Sequence, residues 1–190
     1  MGGVYLRFQN AEKFAHILKM LGPEAWAIIN EYEIGSISYV TLRNRLAEHY
    51  QKLNILDGKK SVKQLIDGPD SLIINCIEIL RENGYKTGLL TNVGYKDDTF
   101  TETDTKVNKE HFDVIVESCI EKMRKPFKEI YLLTAERLRV KPEECIFIDD
   151  LIQNCYTADD LGMTAIELKG GDSKTAVKTL GWYLGLDLLS

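Results

Sequence analysis

Three short polar stretches carry residue types that do chemistry on charged substrates: Thr91-Asn92, Lys125 and Asp149-Asp150. The two adjacent carboxylates end the strand-type run Cys145-Ile146-Phe147-Ile148. Like charges so close raise each other's pKa unless a cation neutralises them, so the pair suits Mg²⁺, which takes carboxylate oxygens and keeps several waters. Thr91 and Asn92 offer a hydroxyl and an amide, and Lys125 a positive charge. The set suits a phosphoryl group, whose oxygens need fixed donors and positive charge during transfer. Each stretch also has a purely structural reading. The Asp pair can cap a helix, Thr91-Asn92 can form a turn, and Lys125 can be a solvated side chain before a proline in a first helical turn. The combination is more specific than its parts.

The elements that must position these residues are legible in the apolar period. After Asp149-Asp150, Cys155, Ala158 and Leu161 repeat at helical spacing up to Gly162, which puts the carboxylates at the carboxyl end of a buried strand, where open α/β sheets place ligand crevices. From Leu72 onward helix and strand alternate as in a parallel sheet. A helix through Ile73, Cys76 and Leu80 ends at Asn83-Gly84, and a strand over 86–90 runs into Thr91-Asn92. Residues 96–109 read as a loop or capped helix and 114–116 as a strand. Lys125-Pro126 opens a helix with Ile130, Leu133 and Leu138; a strand over 164–168 and a helix after Gly170-Gly171 complete the pattern. Before Leu72 the period is helical from Ala11 to Leu65, with breaks at Gly22-Pro23 and a cap at Ser38. Such a block between strand regions reads as a cap over an α/β core. The expected division is a first core remnant over 1–10, a helical cap over 11–70 and an α/β core over 71–190. His16 and His49 have no carboxylate or cysteine at ligand spacing and read as packing or surface residues.

Composition bounds the function classes. A chain of 190 residues that is 44% hydrophobic can bury one good core with a small appended subdomain. A net charge of −5 argues against a generic nucleic-acid or anionic-membrane partner; Lys122, Arg124, Lys125 and Lys128 form only a local basic patch. No apolar run approaches a membrane span, Met1-Gly2-Gly3-Val4 opens no charged-then-apolar leader, and a cytoplasmic location is expected. The four cysteines, Cys76, Cys119, Cys145 and Cys155, lack C-x-x-C spacing and read as structural thiols.

With these residues in place the chain resembles the haloacid dehalogenase-like (HAD) hydrolase superfamily. Leu89-Leu90-Thr91-Asn92 is similar to its second motif and Arg124-Lys125-Pro126-Phe127-Lys128-Glu129-Ile130-Tyr131 to its third. Ile146-Phe147-Ile148-Asp149-Asp150 with Asn154 and Gly162-Met163 is similar to its fourth. The Lys-Pro and Asp-Asp-x-x-x-Asn forms look nearest to the phosphatase domain of soluble epoxide hydrolases and to the HAD-like domain of acyl-CoA dehydrogenase relatives. The resemblance implies an α/β HAD-like Rossmannoid parallel sheet with a small inserted helical cap, and Mg²⁺-dependent hydrolysis of a small phosphorylated substrate. It implies that Thr91 holds a phosphate oxygen, Asn92 lines the substrate site, Lys125 neutralises nucleophile and phosphate, and Asp149 with Asp150 holds the metal.

The first motif departs from the family. It is a strand ending Asp-x-Asp-Gly-Val/Thr, nucleophile first and general acid second, and Met1-Gly2-Gly3-Val4 resembles its tail. The nucleophile would fall one residue before Met1, and Gly2 stands at the acid's place, so impaired catalysis is expected. The strand that carries this motif is central in the family's sheet. Without it the isolated chain is expected either to be marginal and aggregation-prone through its open strand edges, or to fill the place with residues 4–8, a poor replacement because of Arg7, or with a strand from a second copy or a partner chain. Two other readings compete. One is a non-catalytic HAD-like module that binds phosphate, metal or protein. The other is a phosphorelay receiver, which the order Thr, Lys, Asp-Asp disfavours.

Overall fold

Helix boundaries follow from side chains that satisfy the first free backbone N–H groups and from glycines that end the last turn. The computed structural model describes residues 2–8, 21–52 and 66–189. Helix α1 (Pro23–Glu33) starts at Gly22-Pro23, and α2 (Tyr39–Lys52) is capped by Ser38, whose Oγ accepts from the Thr41 N–H at 3.2 Å. Arg45 of α2 grips Glu31 of α1 with two hydrogen bonds of 2.6 and 3.1 Å. Helix α3 (Ser71–Glu82) is capped by Asp70, which accepts from Leu72 at 2.9 Å and Ile73 at 3.4 Å. It ends at Asn83, with Gly84 at a φ of +80° that an L side chain rarely adopts.

Two parallel strand pairs form the core. Strand β3 (Gly88–Thr91) pairs with β4 (Val114–Glu117), and β5 (Ile146–Asp149) pairs with β6 (Thr164–Glu167). The helices between and after them are α4 (Ser118–Glu121), α5 (Lys128–Leu138), α6 (Ile152–Asp160) and α7 (Ser173–Leu184). One face is covered by α3 and α7, which bury Ile73, Cys76, Val177 and Leu180 against Ile146, Ile148 and Ile166. The other is covered by α5 and α6, which bury Ile130, Tyr131 and Ala158 against Leu90, Val116 and Phe147. This is the expected α/β layering.

In three respects the structure differs from the sequence expectation. The sheet is not continuous: β3 and β5 are not hydrogen-bonded to each other, and no described strand lies between them. Residues 4–8 do not fill that space. The chain turns at Gly3 (φ +84°), whose N–H donates to Leu6 O at 2.8 Å, and β1 (Leu6–Phe8) then pairs antiparallel with β2 (Ile66–Pro69). The reason is Arg7, whose side chain is 61% exposed: a strand buried on both faces cannot accommodate it, whereas a solvated two-stranded ribbon can. Finally, the block expected to be helical over 11–70 ends in β2, which the sequence did not signal. Residues 11–20, with His16, and 53–65 lie outside the described residues. His49 sits 3.9 Å from Glu24. All four cysteines are free thiols, with Cys76, Cys119 and Cys155 buried. Among the described residues no helix is long and apolar enough to cross a membrane.

Candidate active site

The residues singled out in the sequence converge at the carboxyl ends of β3 and β5. Thr91 is the last residue of β3 and only 1% exposed. Asn92 follows it and uses its side-chain amide to hold the backbone of Lys125. Its Nδ2 donates to Lys125 O at 3.0 Å, and the Lys125 N–H donates to its Oδ1 at 2.9 Å. This two-way clamp fixes a loop residue against a strand end as a ladder would. The Lys125 ammonium then reaches between the two strand pairs, donating to Asp149 Oδ2 at 2.6 Å and to Leu90 O at 3.0 Å. The Phe147 ring lies beneath it, 5.6 Å from Nζ to centroid. The Thr91 hydroxyl makes only a long contact with Asn92 O at 3.5 Å.

Asp149 and Asp150 are neighbours with opposite electrostatics. Burial of Asp149 disfavours its charged form, but the adjacent Lys125 charge and the hydrogen bonds from Lys125, Asn154 and Leu151 outweigh that and hold its pKa below the ordinary carboxylate value. Its Oδ1 accepts from Leu151 N–H at 2.9 Å and from Asn154 Nδ2 at 2.8 Å; the helix-capping reading does not hold, because Leu151 is the residue that precedes α6 and no side chain caps that helix. For Asp150 the Lys125 charge and a backbone N–H hydrogen bond act the same way but are outweighed. Burial and the charge of Asp149 push its pKa up to about 6. Gly3 lies directly against it: a Cβ there would sit 2.0 Å from Asp150 Oδ2, so only glycine fits beside the carboxylate.

Sequence reasoning missed Glu33. It stands at the end of α1, and its Oε2 accepts from Arg124 Nε at 2.6 Å and from Asn92 Nδ2 at 3.2 Å. Burial raises its pKa, and Arg124 opposes the shift. Nearby, the buried Ser118 hydroxyl donates to Glu33 O at 2.5 Å and accepts from the Val93 N–H at 2.9 Å. Lys122 Nζ donates to Gly35 O at 3.1 Å. The local basic patch is therefore engaged: Lys122 with the turn after α1, Arg124 with Glu33, Lys125 with Asp149, and Lys128 3.4 Å from Asp160. Glu33 and Arg124 are too far apart in sequence for any local pattern to link them.

The donor chemistry at Asp149-Asp150 fits Mg²⁺. The oxygens are hard, Asp150 accepts no hydrogen bond from another described side chain, and its pKa is raised first by burial and then by the charge of Asp149, which a cation would relieve. The site offers few protein ligands. Among the described residues no three His, Cys, Asp or Glu side chains gather at one point.

The chain is similar to several known proteins. Mouse acyl-CoA dehydrogenase family member 10 is 36% identical over 117 residues, 62% of this chain and 11% of the relative. Pig bifunctional epoxide hydrolase 2 is 32% identical over 148 residues, 76% of this chain and 26% of the relative. The chain thus spans between about a tenth and a quarter of these curated relatives. A HAD family enzyme from Bacteroides thetaiotaomicron, crystallised as a magnesium complex, superposes with a TM-score of 0.63 at 23% identity, covering 91% of this chain and 92% of that one. The haloacid dehalogenase-like hydrolase family itself matches residues 7–158, which takes in Thr91, Lys125 and the Asp149-Asp150 pair as well as α1 and α2. The strand ends, the buried lysine and the paired carboxylates therefore sit in the chain of a haloacid dehalogenase-like hydrolase, the family to which this protein belongs.

Proposed function

We propose that the cleft at the ends of β3 and β5 is a phosphatase-type site that binds a small phosphate monoester together with Mg²⁺. The observation that carries this reading is the Lys125 ammonium, buried at 6% exposure beside Thr91 and 2.6 Å from Asp149. A buried cation beside a hydroxyl donor suits a phosphoryl oxygen. In this reading Thr91 donates to the phosphate, Lys125 balances its charge, Asn92 and Glu33 position Lys125 and Arg124, and Asp149 with Asp150 holds the metal. Mg²⁺, when bound there, would neutralise charge on the phosphoryl oxygens. Hydrolysis would convert monoester and water to alcohol and inorganic phosphate.

Turnover by the chain is proposed to be weak. By the resemblance Gly2 would stand at the acid's place, and among the described residues no third carboxylate joins Asp149 and Asp150. General acid-base help of this kind is worth about 10² to 10⁴ in rate. The packing of Gly3 on Asp150 favours a second reading, a module that binds phosphate and metal without turnover. Hydrolysis of an aryl phosphate, measured beside calorimetric titration with Mg²⁺ and phosphate, separates the two. Binding with near-background turnover supports a binding module. Turnover abolished by Lys125→Ala supports the phosphatase, and absence of both binding and turnover refutes the site.

A further inference from the structure

A guanidinium carries several N–H donors in a planar fork, and Arg124 has a described partner for only one of them. Its Nε donates to Glu33 Oε2 at 2.6 Å, whereas among the described residues no acceptor meets Nη1 or Nη2. The side chain is only 15% exposed, so most of the water that would satisfy those donors is gone, and donors that lose water without gaining an acceptor are costly. They are not sealed in. Among the described residues the side-chain atoms wholly buried without a partner are Asn30 Oδ1 and Thr105 Oγ1, so both Nη groups keep an opening to solvent. Glu33 shows where that opening lies. Its Oε2 also accepts from Asn92 Nδ2 at 3.2 Å, which pins the guanidinium beside the residue that follows Thr91, while Arg124 itself directly precedes the buried Lys125. The free edge of the fork therefore stands at the rim of the strand ends.

Resting on the phosphate site proposed above, we infer that Arg124 is a specificity-determining residue of that site, its Nη pair taking a carboxylate carried by the alcohol part of the phosphate monoester. A planar carboxylate accepts two parallel N–H bonds from such an edge, which a hydroxyl oxygen does not. A counter-ion role toward Glu33 accounts for the Nε bond and leaves the other edge unexplained. The fork is also held in advance. Glu33 lies at the end of α1 and fixes the arginine from across the seam, so little side-chain freedom is left to lose when a ligand binds. The neighbouring cations are engaged elsewhere: Lys122 with Gly35 O, Lys128 near Asp160, and Lys125 with Asp149 and Leu90 O.

The test is calorimetric titration of the wild-type chain, in Mg²⁺, with phenyl phosphate and with ring-substituted phenyl phosphates. The substituent is a carboxylate or its uncharged isostere, a carboxamide, placed ortho, meta or para so that the ring sets its distance from the phosphate. At one ring position the carboxylate should bind about tenfold or more tightly than its carboxamide. That ratio should fall to near unity in Arg124→Gln, and fall in part in Arg124→Lys, which keeps the charge without the fork. The ratio is taken within each variant, so a general loss of stability or of phosphate affinity does not move it. Should Arg124→Gln not fold, the ratio in Arg124→Lys decides. Equal affinities within every carboxylate and carboxamide pair, with phenyl phosphate still bound, would overturn this inference and leave the phosphate site standing. A preference unchanged in either variant would also overturn it, because Mg²⁺ or another cation would then be the carboxylate's partner. Absence of phenyl phosphate binding would overturn the phosphate site and this inference with it.

Discussion

The seam between the helices α1 and α2 and the core contrasts with the space between β3 and β5. At the seam nearly every polar group has a partner: Glu33 with Arg124 and Asn92, Ser118 with Val93 and Glu33 O, Lys122 with Gly35 O, and the Tyr39 N–H with Tyr95 O at 2.8 Å. Between β3 and β5 a single ammonium stands where a strand would bring a full ladder. The difference teaches how the site is held. Its residues are aligned by side-chain clamps onto backbone, and this alignment does not need a continuous sheet. The Asn92–Lys125 exchange and the Asp149 bonds to Leu151 and Asn154 fix the two strand ends separately. Among the described residues the Lys125 ammonium bonds both ends directly, at Leu90 O and Asp149.

The strongest way to break the contrast is therefore Lys125→Ala. It strands the carboxylate of Asp149, whose side chain is only 3% exposed. Removing one partner of a buried pair costs about 3–5 kcal/mol, which urea denaturation would register, and adding Asp149→Asn should recover part of the loss. A cost near zero would show that the ammonium does not hold the two strand pairs together. At the seam, Glu33→Ala leaves Arg124 and one Asn92 N–H bond without a partner. Their burial is less complete, and a loss of about 1–3 kcal/mol is expected, with faster proteolysis between α1 and the core as a second readout.

A third test sharpens the difference between the two aspartates. The folded pKa of Asp150, at about 6, lies above its ordinary value of 3.8. The folded state therefore holds this proton more tightly than the unfolded state does. The stability it confers is complete at low pH and declines as pH rises from about 4 through about 6. Asp150→Asn should flatten that slope in denaturation curves taken across the window. Asp149 acts in the opposite sense: its depressed pKa gives stability above the ordinary carboxylate range that is lost as pH falls through the folded value. If Mg²⁺ needs Asp150 ionised, its affinity should fall about tenfold between pH 7 and 5; a pH-independent isotherm would remove Asp150 from the metal site. The smallest effect is expected for Arg45→Ala at the exposed contact with Glu31, within about 0.5 kcal/mol despite its short bonds. A larger loss would mean that the α1–α2 pair matters more to the seam than its exposure suggests.

The sequence by itself determined the main strands and helices of residues 71–184, though not the short α4, and the identity of the strand-end residues. Local rules suffice there: Asp70 caps, Asn83-Gly84 stops, and the run Ile146-Phe147-Ile148 is apolar enough to be a strand in almost any context. The juxtaposition of Thr91, Lys125 and Asp149 was legible because each sits at a strand end or helix start and parallel strands bring such ends together. Other features depended on the tertiary structure. That Asn92 holds the Lys125 backbone, and that Glu33 closes on Arg124, 91 positions further on, follow from packing across elements. The placement of residues 4–8 was decided in the same way. Their alternation is compatible with a buried strand, but Arg7 needs water and Gly3 can turn, so the chain folds back onto β2 instead. Alternation specifies a strand; only the neighbours available in three dimensions specify which edge it joins.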